Sequence, residues 1–217
     1  MLGKDNSIIS PFVFLAVAER YHLATQLDKW VVSNAFRILT SNPVELENLE
    51  VCNINLSGQS FSNNNMADYI IEQFIETGLP AEKICFEITE TAAVTDLANA
   101  KKFISKLRDY GCLFALDDFG SGLSSFQYLK DLPVDIVKID GSFVKNIVTD
   151  EFDLAAVSSI NHIAKASGKQ TVAEFVENKE IVDILKEIGV DYAQGYYFGK
   201  PVPMVDINSE DKKISNW

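Results

Sequence analysis

Short apolar runs alternate with helical stretches along this chain, and that alternation narrows the possible folds more than any other feature. Residues 49–56 (LEVCNINL) alternate apolar and polar side chains as a strand does. Residues 83–89, 112–116, 134–139, 170–173 and 191–193 read as further strands. Helical patterns lie before and between them. Residues 11–20 have Pro11 at the first position and Ser10 as a candidate cap. Residues 27–39 repeat Leu27, Trp30, Val31, Ala35 and Ile38 at helical spacing, which predicts a core-facing stripe. Residues 66–77, 97–110, 152–167 and 179–188 are amphipathic, and Gly78, Gly111, Gly168 and Gly189 follow them as stop signals. Strands alternating with helices of this length predict parallel βαβ units, and so an α/β fold.

Two architectures satisfy that pattern: an open doubly wound sheet and a (β/α)₈ barrel. The turn after Leu56 is Ser57-Gly58-Gln59, which is not the Gly-rich phosphate turn of many open sheets. The polar residues favour the barrel. Asn55 closes the first strand, and Glu87 interrupts the second with Glu90 just beyond it. Asp117 and Asp118 end the third strand, and Lys138 lies near the end of the fourth. Glu174 ends the fifth strand with Glu177 beyond it, and Gln194 ends the sixth. Polar groups at the C-terminal end of nearly every strand predict one shared site, because that end is where barrels build their active sites.

Each position also has a purely structural explanation. Asn55 suits an Asx turn. Glu87 could face solvent from a half-buried strand. Glu174 and Glu177 suit the first turn of a helix, and Gln194 could cap a strand. The Asp117-Asp118 pair is harder to explain so, since adjacent like charges ending a buried strand repel unless a cation neutralises them. Lys138 within an apolar strand needs a partner for its amine. Asn, Asp and Glu oxygens together suit a hard divalent ion, Mg²⁺ or Mn²⁺, and an aspartate shared by two ions suits hydrolysis of a phosphoryl group.

Composition removes other classes. The chain has 217 residues, enough for one domain, with a formal net charge of −12. That balance excludes a nucleic acid polymer as partner and disfavours an anionic membrane surface. Two histidines leave no His-rich metal site. No apolar run is long enough to cross a membrane, and no signal peptide is recognisable. Cys52, Cys85 and Cys112 form no CxxC and read as small core residues of a cytoplasmic protein. No Gly/Ser linker divides the chain, so 1–206 is expected to be one domain and 207–217 a polar tail.

Seven segments in order carry a family resemblance: IISPFVFLAVAE at 8–19, NINLS at 53–57, FEITET at 86–91, LDDFGSGLSSFQYL at 116–129, VDIVKIDGSFV at 134–144, TVAEFVEN at 171–178 and QGYYFGKPVP at 194–203. The chain resembles the EAL family of cyclic-di-GMP phosphodiesterases over nearly its whole length. The resemblance implies a modified TIM barrel with two Mg²⁺ or Mn²⁺ ions that hydrolyses cyclic di-GMP to linear pGpG. It implies Asn55, Glu87 and Asp117 as ligands of the first ion. Asp117 and Asp118 would hold the second, with Glu174 beside it as ligand or general base. Lys138 would stabilise the nucleophile or the phosphate charge. Glu90 would anchor the loop 119–125, which would couple dimer contacts to the metals. Glu177 and Gln194 would face the substrate. Phe175 stands where the family often has Gly, and it is read as compatible with activity. A homodimer, and an upstream sensor or GGDEF-type domain, are implied as partners.

One part of the pattern is missing. The family's first strand carries the Glu-Ala-Leu motif, whose Glu is a metal ligand, followed by an Arg that contacts substrate. Residues 1–10 contain no Glu and no Arg, and 217 residues fall short of the ~250 typical of a complete barrel. The expectation is a TIM-like barrel without its first β-strand, with this exact chain inactive or weakened. A catalytically inactive cyclic-di-GMP receptor is the alternative function.

Overall fold

A computed structural model of the chain describes residues 11–62, 65–121 and 126–204, with side chains from Phe14 onward. Three helices lead in: α1 (Pro11–Arg20), α2 (Ala24–Ser41) and α3 (Pro43–Asn48). Strand β1 (Cys52–Asn55) precedes α4 (Met66–Thr77), and β2 (Ile84–Thr89) precedes α5 (Glu90–Thr95) and α6 (Leu97–Tyr110). Next come β3 (Leu113–Phe119), β4 (Ile136–Ile139), α7 (Gly141–Val144) and α8 (Glu151–Ala166). The series ends with β5 (Gln170–Ala173), α9 (Lys179–Ile188) and β6 (Tyr192–Ala193). The expected Ser10 cap, the front of the chain and the tail 207–217 lie outside the described residues.

The described strands form one sheet in sequence order, β1-β2-β3-β4-β5-β6. Every neighbouring pair is parallel. Parallel neighbours need crossover connections, and α-helices that bury apolar stripes on the sheet supply them except between β3 and β4, where the described residues form only a short 3₁₀ turn at Phe126–Lys130. α6 turns Ala100, Phe103, Ile104 and Leu107 inward, and α9 turns Ile181, Val182 and Leu185. Gly111 ends α6 with φ 116°, a conformation L side chains rarely adopt. The sequence pattern put α6 and α9 at these same bounds. It missed α3, α5 and α7, which are too short to show a helical period.

The stripe expected on α2 is one residue out of phase. Ala24, Asp28, Val32, Phe36 and Leu39 are its buried residues, while Trp30 is 63% exposed. Val32, Phe36 and Leu39 form the apolar stripe that packs on the core, and Asp28 shares their face as a buried carboxylate. Its Oδ2 accepts hydrogen bonds from Ser57 N at 2.9 Å, Ser57 Oγ at 2.6 Å and Ser60 Oγ at 2.7 Å. These bonds tie the turn after β1 to α2. Replacing Asp28 by alanine strands three donors, and each charge-assisted bond contributes roughly 1.5–3 kcal/mol. Allowing for relaxation, a loss of about 3 kcal/mol is expected, which lowers the melting temperature by roughly 10 °C in a protein of this size. Thermal unfolding of Asp28→Ala checks this, and an unchanged melting temperature refutes it.

Candidate functional site

Strand register explains how distant residues converge. Asn55 pairs with Glu87 in register, so the two stand at one level of the sheet. Glu87 pairs with Ala115, and Asp117 stands two residues further up β3. Val137 pairs with Leu116, which brings Lys138 to the level of Asp117. Lys138 pairs with Val172, and Glu174 stands two residues above that. The polar positions thus climb the sheet by two residues for every two strands. This is the stagger of a barrel whose shear equals its strand number, and it keeps side chains of alternate strands in one interior layer.

The acidic pair depends on a local irregularity. Leu116 pairs with Val137 and Phe119 with Ile139, so Asp117 and Asp118 together oppose the single residue Lys138. This is a β-bulge, and Asp118 takes a left-handed φ of 55° within it. In a regular strand, consecutive side chains point to opposite faces. The bulge lets both carboxylates approach Glu174. One carboxylate oxygen from each of Asp117, Asp118 and Glu174 lies within 4.8 Å of the others.

Lys138 is the electrostatic centre. It is buried, and its Nζ lies 2.9 Å from Glu87 Oε2, 2.8 Å from Asp117 Oδ1 and 2.8 Å from Glu174 Oε1. Burial alone would lower the Lys138 amine, but Glu87, Asp117 and Glu174 outweigh it and raise the amine above its ordinary value. Lys138 is therefore a fixed cation. Burial raises the carboxyls of Glu87 and Glu174 in spite of Lys138. Burial, then Asp117 and Asp140, raise that of Asp118.

One cation does not balance four carboxylates. Asp117 Oδ1 is buried and forms no hydrogen bond of proper geometry, although Lys138 is beside it. An acceptor with spare capacity, among hard oxygen donors within 4.8 Å of one another, fits a hard divalent cation. Binding such an ion requires ionised carboxylates, so protons compete with it. Because the Asp118 and Glu174 carboxyls are raised, Mn²⁺ affinity is expected to fall as pH drops from 8 toward 5, by about tenfold per proton displaced per unit. Calorimetric titration with Mn²⁺ at several pH values checks this; a pH-independent affinity refutes it.

Glu90 is buried yet stands apart from the cluster. Its Oε2 accepts a hydrogen bond from Gly120 N at 2.9 Å, and its Oε1 accepts one from the Tyr128 hydroxyl. It therefore grips both flanks of the loop 119–125, whose residues 122–125 lie outside those described. Glu177 and Gln194 line a cleft of about 360 Å³ with Glu174, Phe175, Lys145 and Tyr196. Lys145, Tyr128 and Tyr196 escaped the sequence reading. All three lie inside or near quoted motifs, but nothing in their spacing separates them from ordinary surface residues. The alternative of a solvent-facing Glu87 fails, because β2 is buried on both faces there and Glu87 is 4% exposed.

Known proteins resemble this chain in sequence and fold. The EAL domain family model matches residues 1–201. The chain is 46% identical to the cyclic di-GMP phosphodiesterase PdeB of Shewanella oneidensis, over 91% of this chain and 23% of that protein. It is 36% identical to PdeF of Escherichia coli, over 99% of this chain and 28% of that protein. It thus spans about a quarter of the length of these curated relatives. Among solved structures, the PaMucR phosphodiesterase in complex with c-di-GMP superposes with a TM-score of 0.85 at 29% identity, covering 93% of this chain and 82% of that one. The FimX EAL domain from Pseudomonas aeruginosa bound to c-di-GMP gives a TM-score of 0.86 at 27% identity, covering 96% and 83%. The parallel strands, their barrel stagger and this match over most of the sequence place the chain in the EAL domain family.

Proposed function

We propose that this chain is the catalytic domain of a phosphodiesterase that opens cyclic di-GMP to linear pGpG with two divalent ions, Mg²⁺ or Mn²⁺. The observation that carries the reading is the bulge that brings Asp117 and Asp118 beside Glu174 and Lys138. Asn55, Glu87 and Asp117 would hold one ion, and Asp117 and Asp118 the other, with Glu174 next to it. Such ions polarise a phosphoryl oxygen and acidify a bound water. They also invert the sign of an acidic pocket that would otherwise repel phosphate. Lys138, kept charged by its three carboxylates, stabilises negative charge on the phosphate or the nucleophile. Glu174, with its raised carboxyl, is suited to take a proton from water. Glu177 and Gln194 face the substrate across the cleft. Glu90 anchors the loop 119–125.

The test is incubation of the full-length protein with cyclic di-GMP and Mg²⁺ or Mn²⁺, with products separated by chromatography. Formation of pGpG supports the reading, and unchanged cyclic dinucleotide overturns it. A second reading, a receptor that binds without hydrolysis, draws on the likeness to the FimX EAL domain bound to c-di-GMP. Calorimetric binding without pGpG formation would favour it. No described helix is long and apolar enough to cross a membrane. Its three free cysteines fit a reducing cytoplasm. A homodimer and an upstream sensor or GGDEF-type domain complete the proposal; the greater length of the relatives, of which this chain spans about a quarter, supports the further domain.

A further inference from the structure

Glu174 is followed by Phe175, which has a left-handed φ of 54°. That conformation is strained for a bulky aromatic residue and persists only where the surroundings over-determine it. Phe175 is 51% exposed, so burial alone does not hold it there. Its neighbours do. A Cβ placed on Gly141 would stand 2.0 Å from Phe175 Cδ2 and 2.6 Å from its Cγ. Gly141 lies in the first turn of α7, outside the left-handed region, where alanine is intrinsically preferred to glycine. Its backbone does not require glycine; the Phe175 ring does. One turn on, Lys145 Nζ lies 4.2 Å from the centre of the same ring. The backbone on each side is tied down, with Glu174 N donating to Ile139 O at 3.3 Å and Val176 N to Gln194 O at 3.0 Å.

We infer that Phe175 is a positioning residue: its ring, wedged against Gly141 and Lys145, locks the turn after β4 to Glu174. Lys138 and Gly141 lie three residues apart in one continuous segment, so the wedge adds a side-chain contact to the β4–β5 ladder that places Lys138 near Glu174. As a claim about catalysis, the inference rests on the phosphodiesterase reading. As a claim about packing and metal affinity, it does not.

The test is a cycle in the full-length protein of Gly141→Ala, Phe175→Gly and the double variant, with Phe175→Tyr as the conservative control. The readouts are kcat and KM for cyclic di-GMP, Mn²⁺ affinity without nucleotide, and melting temperature. Gly141→Ala is expected to lower kcat at least about tenfold while KM stays within about threefold, since small displacements of a reacting group are costly. It should also weaken Mn²⁺ binding several-fold and lower the melting temperature. Phe175→Tyr, which keeps the ring against Gly141, should match the parent in melting temperature. In the Phe175→Gly background the alanine should cost nothing further, because the clash is gone. An alanine that is harmless beside Phe175, or equally harmful beside Gly at 175, overturns the wedge. A parent that makes no pGpG defeats the phosphodiesterase reading instead. The same cycle in Mn²⁺ affinity and melting temperature then decides the wedge alone.

Discussion

Asp117→Ala is expected to abolish turnover of cyclic di-GMP, with a loss of at least about 10³-fold, or about 4 kcal/mol of transition-state stabilisation. Asp117 is the one residue proposed to touch both ions, and its neighbours cannot replace it. Glu87 and Glu174 are each proposed beside a single ion, and Asp118 reaches the cluster only through the bulge. Stability should move the other way. Asp117 is a carboxylate that raises the carboxyls of Glu87, Asp118 and Glu174 by repulsion. Removing it relieves that repulsion and leaves Lys138 two partners. The metal-free variant should therefore melt no lower than the parent. Loss of activity with loss of folding would point to a structural role, and near-normal rates would refute the metal role.

Lys138→Met is expected to damage both activity and stability. Methionine keeps most of the length of the side chain, one atom short, and removes its charge. Glu87, Asp117 and Glu174 then face one another without a cation. Breaking a buried ion-pair network by removing one partner costs about 3–5 kcal/mol. The penalty has a definite pH dependence. In the variant, carboxyls already raised by burial should rise further and bind protons more tightly folded than unfolded. Metal-free stability should then increase as pH falls through those raised values, and stop increasing below the ordinary carboxylate range. Mn²⁺ should stabilise the variant more than the parent, because it supplies the missing positive charge. Turnover should fall about 10²–10³-fold, as for removal of a preorganised electrostatic group. Thermal unfolding between pH 5 and 8, with and without Mn²⁺, checks these statements. A variant as stable and active as the parent would refute the central place of Lys138.

Much of the candidate site was legible because charge interrupts apolar strands at Glu87, Asp117 and Lys138. A buried charge in a strand needs partners, so these positions stood out. Glu90 was harder, because its distance from Glu87 in sequence is short. Its side chain turns away as α5 begins, and grips the loop flanks at Gly120 and Tyr128. Trp30 misled for the opposite reason. An aromatic residue at helical spacing normally marks a core stripe, but here Val32, Phe36 and Leu39 face the core, and Asp28 on the same face is satisfied by three donors after β1. The wedge of Phe175 on Gly141 could not be read at all, because it joins a ring just past β5 to a bare glycine backbone just past β4.

The order of apolar runs, helical periods and glycine stops determined by itself that this chain builds a parallel α/β sheet. The same pattern determined that its polar residues gather where the strands end, since both are matters of local period. Only the tertiary structure decided that Asp117 and Asp118 reach the same side. Side-chain direction in a strand alternates unless pairing slips, and the slip opposite Lys138 is set by how β3 meets β4 across the sheet. The left-handed turn of Asp118 belongs to that long-range pairing, and no local pattern records it.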